Sequence, residues 1–356
     1  MTKNSIERLK NLRKTFKPNN IDALLVSQAD NRRYFSGFSG SAGYLIITPG
    51  RQILATDFRY VEQVKREAAA FELFQISGEM AKWFTELAAG LGIHKLGYEV
   101  ENLSCAARER LEAATAPLGI SLVPVTGVLE NIRAVKDAAE ISLIKKAVAI
   151  SDAAIRHAGT VLREGINELE LAWEIEKYMR EHGSQTLPFE VIVAAGLNSA
   201  LPHARPSEYT IKLGEPVVID IGARVGGYVS DLTRTLCAGR PDERFQMVYD
   251  TVLAAQLAAE ERIAEGITGH EADGYARSVI EEAGYGAHFG HGLGHGLGLV
   301  AHESPRLGTN SKDILKRDMV FTVEPGIYLP EWGGVRIEDT VLLTGGGIEV
   351  LSKAVK

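Results

Sequence analysis

Four carboxylates stand where apolar strands call for aliphatic side chains, and they constrain this fold more than any other feature. In PVVIDIGARVGGYVSDLTRT, Asp220 interrupts one apolar strand and Asp231 the next, eleven residues on; Gly222, Gly226 and Gly227 allow a tight connection between them. Neighbouring antiparallel strands would set both carboxylates on one face. In FTVEPGIYLPEWGGVRIEDTVLL, Glu324 ends one strand and Glu338 lies in the next, with Arg336 on the face of Glu338 by the period of two. A buried carboxylate is costly unless a cation or hydrogen-bond donors offset it. Taken singly, each acid can be a structural partner of an arginine or of backbone N–H groups. Four in one core repel one another and demand positive charge.

A second signal lies between these strand pairs. HFGHGLGHGLGLVAHESPR holds His288, His291, His295 and His302, four of the nine histidines in the chain. Imidazole is a common ligand for transition metals, and the glycines let backbone and ligand approach closely. Alone, such a loop can equally be a mobile surface segment. With the four acids it points to a pair of divalent cations, since four carboxylates and a bridging hydroxide carry −5 against +4. Oxygen-rich ligation with one nitrogen suits Mn²⁺ or Co²⁺, with Zn²⁺ and Fe²⁺ as alternatives. Two such ions roughly 3.5–4 Å apart generate a nucleophile from water and steady the transition state.

Composition bounds the setting. A chain of 356 residues predicts about two domains at roughly 100–200 residues each. With 45% hydrophobic and 24% charged residues it is an ordinary globular chain, which excludes disorder and coiled coil. The net charge of −7 gives no broad electrostatic reason to seek nucleic acid or anionic lipid. Cys105 and Cys237 fit a reducing compartment and lack the spacing of a zinc or redox motif. No apolar run approaches the length of a membrane span. The N-terminal MTKNSIERLKNLRKTFKPNN lacks a signal peptide's apolar centre, and Ile6, Leu9, Leu12 and Phe16 space as a surface helix. The expectation is a soluble cytoplasmic enzyme with no nucleic-acid or membrane partner.

The first third alternates short strands (IDALLVS, GYLIIT, RQILAT, FELFQI, KLGYEV) with amphipathic stretches at 57–69 and 79–89, an α/β domain over residues 1–127. The rest, 128–356, reads as α+β. Helices open at Asp137 with Glu140 and at Asn167 with Glu170, both capping-box pairs, and further helices cover 242–265 and 271–283. Strands between and after them have short connections, which points to an antiparallel sheet.

The motifs VVIDIG, YVSDLTRT, GHGLGLVAHESP, FTVEPGIY and GGVRIED resemble those of the pita-bread metallopeptidases, and within them the proline-specific branch of aminopeptidase P and prolidase. The resemblance covers the whole chain, with GFSGSAGYLII similar to a creatinase-type N-terminal domain. It implies that domain followed by a pita-bread domain with a curved antiparallel sheet. It also implies a dinuclear site in which Asp220, Asp231, His295, Glu324 and Glu338 are the ligands, Asp231 and Glu338 bridging. A bridging hydroxide would attack the carbonyl before proline, and Glu324 would shuttle the proton to the leaving nitrogen. His302 matches a position that steadies the oxyanion, and His203 and His291 match substrate-side histidines; His288 has no such match. Tyr228 and Tyr328 are candidates for the wall of a proline pocket. Arg306 resembles the position with which prolidases grip a dipeptide's free carboxylate, while Arg336 can touch substrate or support Glu338. Chain length and the GFSGSAG segment lean toward Xaa-Pro aminopeptidase, with Xaa-Pro dipeptidase close behind. Methionine aminopeptidase ranks third, and a metal-free peptide- or protein-binding module is the reading of another class. The implied partners are peptides or dipeptides with proline second, and the implied assembly is a homodimer.

Overall fold

The computed structural model describes the backbone from residue 3 and side chains from Ser5 to Lys356; Met1 and Thr2, the start of the polar N-terminal segment, lie outside the described residues. The chain divides into two compact units, one ending at Arg133 and one spanning Ala134–Lys356.

The first unit is built on a six-stranded mixed sheet of β1 (Ala23–Val26), β2 (Tyr44–Ile47), β3 (Gln52–Thr56), β4 (Glu72–Gln75), β5 (Lys95–Glu99) and β6 (Ser121–Val125), in the order β4-β3-β2-β1-β5-β6. Thr48-Pro49-Gly50 turns β2 into antiparallel β3. The N-terminal helix Lys3–Lys14 buries Leu9 and Leu12 and leaves Ile6 exposed, as amphipathic spacing requires. In the helix Val128–Ala134, Glu130 and Arg133 both bond to Asn31 of this unit.

The second unit carries β7 (Ile192–Ala195), β8 (Pro216–Ile221), β9 (Arg224–Val225), β10 (Tyr228–Val229), β11 (Leu232–Cys237), β12 (Gly294–Gly296), β13 (Glu303–Leu307), β14 (Val320–Val323), β15 (Gly326–Leu329), β16 (Gly333–Arg336), β17 (Asp339–Thr344) and β18 (Gly347–Val350). They form two antiparallel half-sheets, β11-β8-β7 and β13-β12-β14-β17-β18, with hairpins β9-β10 and β15-β16. Each half-sheet has its own pair of helices. Ala138–Val161 and Glu168–Glu181 pack through Ala154, Leu171 and Ile175 onto β7 and β8. Glu243–Arg262 and Gly269–Glu282 pack through Val252, Ala276 and Ile280 onto β14 and β17. Capping boxes at Asp137/Glu140, Asn167/Glu170 and Thr268/Glu271 fix three of these helix starts. The half-sheets are sewn together where the Glu338 N–H donates to the Thr233 carbonyl and the Thr340 hydroxyl to the Asp231 carbonyl. Among the described residues no helix is long and apolar enough to cross a membrane.

Candidate metal centre

The acids gather at this seam. Asp220 pairs with Thr233 across β8 and β11, and Asp231 lies two residues before Thr233, so strand alternation puts both carboxylates and the Thr233 hydroxyl on one face. Glu338 follows β16, and its Oε2 accepts from that hydroxyl at 2.7 Å. One oxygen each from Asp220, Asp231 and Glu338 lies within 4.8 Å of the others. From the second half-sheet, His295 Nε2 stands 3.8 Å from Asp231 Oδ2 and 3.2 Å from Glu324 Oε1. Thr322 organises this side: its hydroxyl accepts from the His295 N–H at 3.0 Å and donates to Glu324 Oε1 at 2.9 Å.

Electrostatically the acids outweigh Arg336, the buried guanidinium beside them. Burial, then mutual repulsion, pushes the Asp231 and Glu338 carboxyls far above the usual range. Burial raises Asp220 too, against the pull of Arg336. Glu324 goes the other way: burial opposes its charge, but the hydrogen bond and charge of His295 outweigh it and hold the carboxyl at about 2. His295 Nδ1 lies 3.2 Å from the Gly296 carbonyl and donates to it, so the Nε2 lone pair aims at two carboxylates unless a proton or metal stands between. Asp220 Oδ1 is buried with no hydrogen-bond partner among the described residues. An orphan acceptor, an inward lone pair and three crowded carboxylates fit divalent metal and little else.

A second set of bonds holds the ligands in place. Arg336 Nη2 pairs with Asp220 Oδ2 at 2.7 Å, and its Nε reaches the Thr233 hydroxyl at 3.2 Å. Arg336 therefore acts on Asp220 directly and on Glu338 through Thr233. Its Nη1 donates to the Tyr328 hydroxyl at 2.9 Å, which donates to His291 Nε2 at 2.9 Å, since His291 Nδ1 donates to the Gly292 carbonyl. Burial first, with nearby positive charge, lowers the pKa of both His291 and His302. The His302 ring lies 4.1 Å from that of His295.

All of this opens into a cavity of about 1240 Å³, whose wall includes His203, His291, His302, Arg306 and Tyr328. The Arg306 guanidinium is exposed and has no acidic partner among the described residues. Tyr228 is not at the wall; it is core, and its hydroxyl donates to Glu140 at 2.8 Å. Thr233 and Thr322 escaped the sequence reading. The signal for both was available, since each stands two residues from a ligand, on its face of the strand.

Comparison with known proteins now decides the family. Residues 142–345 match the model of metallopeptidase family M24, and residues 8–135 that of the creatinase/prolidase N-terminal domain. The chain belongs to metallopeptidase family M24. Its two domains are a creatinase-type α/β domain and a pita-bread domain, as the motifs imply. Similar to this metallopeptidase are an Xaa-Pro dipeptidase of Pyrococcus horikoshii, 40% identical over 98% of this chain and 97% of that one, and two solved structures. One is an Xaa-Pro dipeptidase from Bacillus anthracis, with 41% identity, 99% of each chain covered and a TM-score of 0.95. The other is an X-Pro aminopeptidase from Thermotoga maritima, with 36% identity, 96% and 97% covered and a TM-score of 0.88.

Proposed function

We propose that this metallopeptidase hydrolyses the bond between an N-terminal residue and proline, and that dipeptides are its preferred substrates. One observation carries the reading: the buried carboxylate cluster floors a cavity whose wall offers three histidines and an unpaired arginine. Asp220, Asp231, His295, Glu324 and Glu338 would hold two divalent ions, Mn²⁺ first, with Co²⁺, Zn²⁺ or Fe²⁺ as alternatives. When bound, these ions supply Lewis-acid activation of water and of the scissile carbonyl. The Glu324 carboxylate takes a proton from the attacking water and returns it to the leaving proline nitrogen. The His302 ring donates to the carbonyl oxygen as charge builds there. His203 and His291 contact the substrate, and Tyr328, held by Arg336 and His291, lines the place for the pyrrolidine ring. An Xaa-Pro amide has no N–H, so the site needs no acceptor for one.

Arg306 favours dipeptides, because a free guanidinium takes a carboxylate with two hydrogen bonds. A second reading, Xaa-Pro aminopeptidase, is favoured by the cavity volume, which exceeds what a dipeptide fills. Rates on Ala-Pro and Ala-Pro-Ala, with Mn²⁺ and then a chelator, test both. The expected result is chelator-sensitive cleavage that is faster on Ala-Pro. Arg306→Ala should lower kcat/KM on Ala-Pro by roughly 10- to 100-fold, the worth of about 1.5–3 kcal/mol for a charge-assisted bond. Faster cleavage of Ala-Pro-Ala, unchanged in Arg306→Ala, moves the assignment to the aminopeptidase. No cleavage of either after metal loading overturns both. The family resemblance supports a homodimer and the composition a place in the cytoplasm; sedimentation in the ultracentrifuge checks the assembly.

A further inference from the structure

Glu168, in the first turn of the helix Glu168–Glu181, is fully buried, and its carboxylate gathers the two ends of one loop. The Ala195 N–H donates to Oε1 at 2.7 Å, and the Asn198 amide to Oε1 at 3.0 Å and Oε2 at 3.2 Å. The Ser207 N–H and hydroxyl donate to Oε2 at 3.0 and 2.6 Å. The backbone of the same turn adds two bonds, from the Glu168 N–H to the Tyr209 carbonyl and from the Leu169 N–H to the Ser207 carbonyl. Two carboxylate oxygens accepting this many donors in a buried setting leave little freedom to the groups they hold.

Between Ala195 and Ser207 the chain makes an excursion, and Pro202–Arg205 at its far end forms part of the cavity wall. That far end is held mainly at the surface: Arg205 pairs with Glu190 at 3.3 Å, both exposed, and the Ala204 N–H donates to the Leu201 carbonyl at 3.1 Å. His203 is exposed, and its ring has no hydrogen-bond partner among the described residues. The Pro202 carbonyl accepts from Arg336 Nη1 at 3.2 Å. The location of His203 therefore depends on the anchors on either side of it: the loop ends held by Glu168, and Ser199, whose hydroxyl accepts from the Gly334 N–H at 2.8 Å.

We propose that Glu168 is a positioning residue for substrate recognition: it clamps residues 195–207 so that His203 and the Pro202 carbonyl stand at the cavity wall. Its kinetic consequence rests on the Xaa-Pro reading above, whereas its effect on the loop does not. The test uses the Mn²⁺-loaded full chain as parent, Glu168→Gln, Ser207→Ala and His203→Ala, with Glu168→Gln also in the His203→Ala background. Hydrogen exchange should speed up in residues 196–206 of Glu168→Gln, and less so in Ser207→Ala, with Pro216–Ile221 and Val320–Val323 at parental rates. On Ala-Pro, Glu168→Gln should lose roughly 10- to 100-fold in kcat/KM through misplacement, with metal content unchanged. In the His203→Ala background the same substitution should cost far less, because both act through one side chain. Parental exchange in the loop of an active Glu168→Gln overturns the clamp alone, and so does a cost fully additive with that of His203→Ala. Faster loop exchange in Glu168→Gln, beside a parent that itself cleaves no Xaa-Pro peptide, overturns the reaction and upholds the clamp.

Discussion

Asp231 is the residue at which the centre's charges crowd most. Glu338, Asp220 and Glu324 all act on it, and burial removes the water that would screen them. In the metal-free protein this carboxylate is a liability; with cations bound it becomes a ligand. The two states therefore respond oppositely to its removal. Asp231→Asn keeps the shape and deletes the charge, so the metal-free variant should unfold at the same temperature as the metal-free parent or higher. Adding Mn²⁺ should then separate them. The parent gains about 2.7 kcal/mol at 100 times its dissociation constant, and the variant little. Thermal unfolding of both proteins with and without Mn²⁺, together with elemental analysis, checks this. A variant that gains as much as the parent removes Asp231 from the ligand set.

Among elements, β12 places the only imidazole of the predicted ligand set, and it was the least legible in sequence. Gly294-His295-Gly296 has no β-branched residue and lies in a glycine-rich run, so it reads as a loop. The glycines answer to neighbouring backbone: a Cβ on Gly294 would overlap the Thr322 carbonyl, and one on Gly296 the Ser304 carbonyl. Such demands come from strands distant in sequence, which local propensity does not register. The same holds for the helix Ala29–Ser36, whose buried Asn31 and Arg32 look like surface residues until Glu99, Glu130 and the Gly40 and Gly43 carbonyls supply their partners. By contrast, β8 was legible, because a continuous apolar run broken by one acid is a local pattern, and so were the helices opened by the Asp137 and Asn167 capping boxes. Gly296→Ala should cost about 1–3 kcal/mol or more, since backbone cannot yield as a side chain does, and should lower metal content by shifting His295. Gly159→Ala, in the exposed part of the helix Ala138–Val161 with open space around it, should instead add about 0.5–1 kcal/mol. Urea unfolding of the two variants beside the parent tests the contrast. A Gly296→Ala protein of parental stability and metal content would refute the close approach.

At the scale of the molecule, the back of the metal centre is tied to the chain's last segment through buried charge. Arg234 bonds the carbonyls of Glu338 and Ala354 and pairs with Asp339 Oδ1 at 2.8 Å. Lys356 Nζ reaches Asp339 Oδ2 at 2.6 Å and Glu260 Oε2 at 3.3 Å, and Gln256 bonds the same Asp339 oxygen at 3.3 Å. Two acids thus face two cations, and the second acid is in the poorer position. Burial first, then the Asp339 charge, raises the Glu260 carboxyl from near 4.5 to about 7, despite Lys356. The folded protein therefore binds this proton more tightly than the unfolded chain does. Its contribution to stability is fully present below about pH 4.5 and is lost as pH rises through about 7, a loss on the order of 3 kcal/mol by linkage. Glu260→Gln cannot ionise, so its stability relative to the parent should climb between pH 4.5 and 7 and level off above. The difference in urea midpoint between the two proteins, followed from pH 4 to 9 at fixed Mn²⁺, measures that climb, because other titrating groups cancel in the subtraction. A difference that stays flat across the range would mean that Glu260 ionises as it does in the unfolded chain, with Lys356 cancelling burial and Asp339 together.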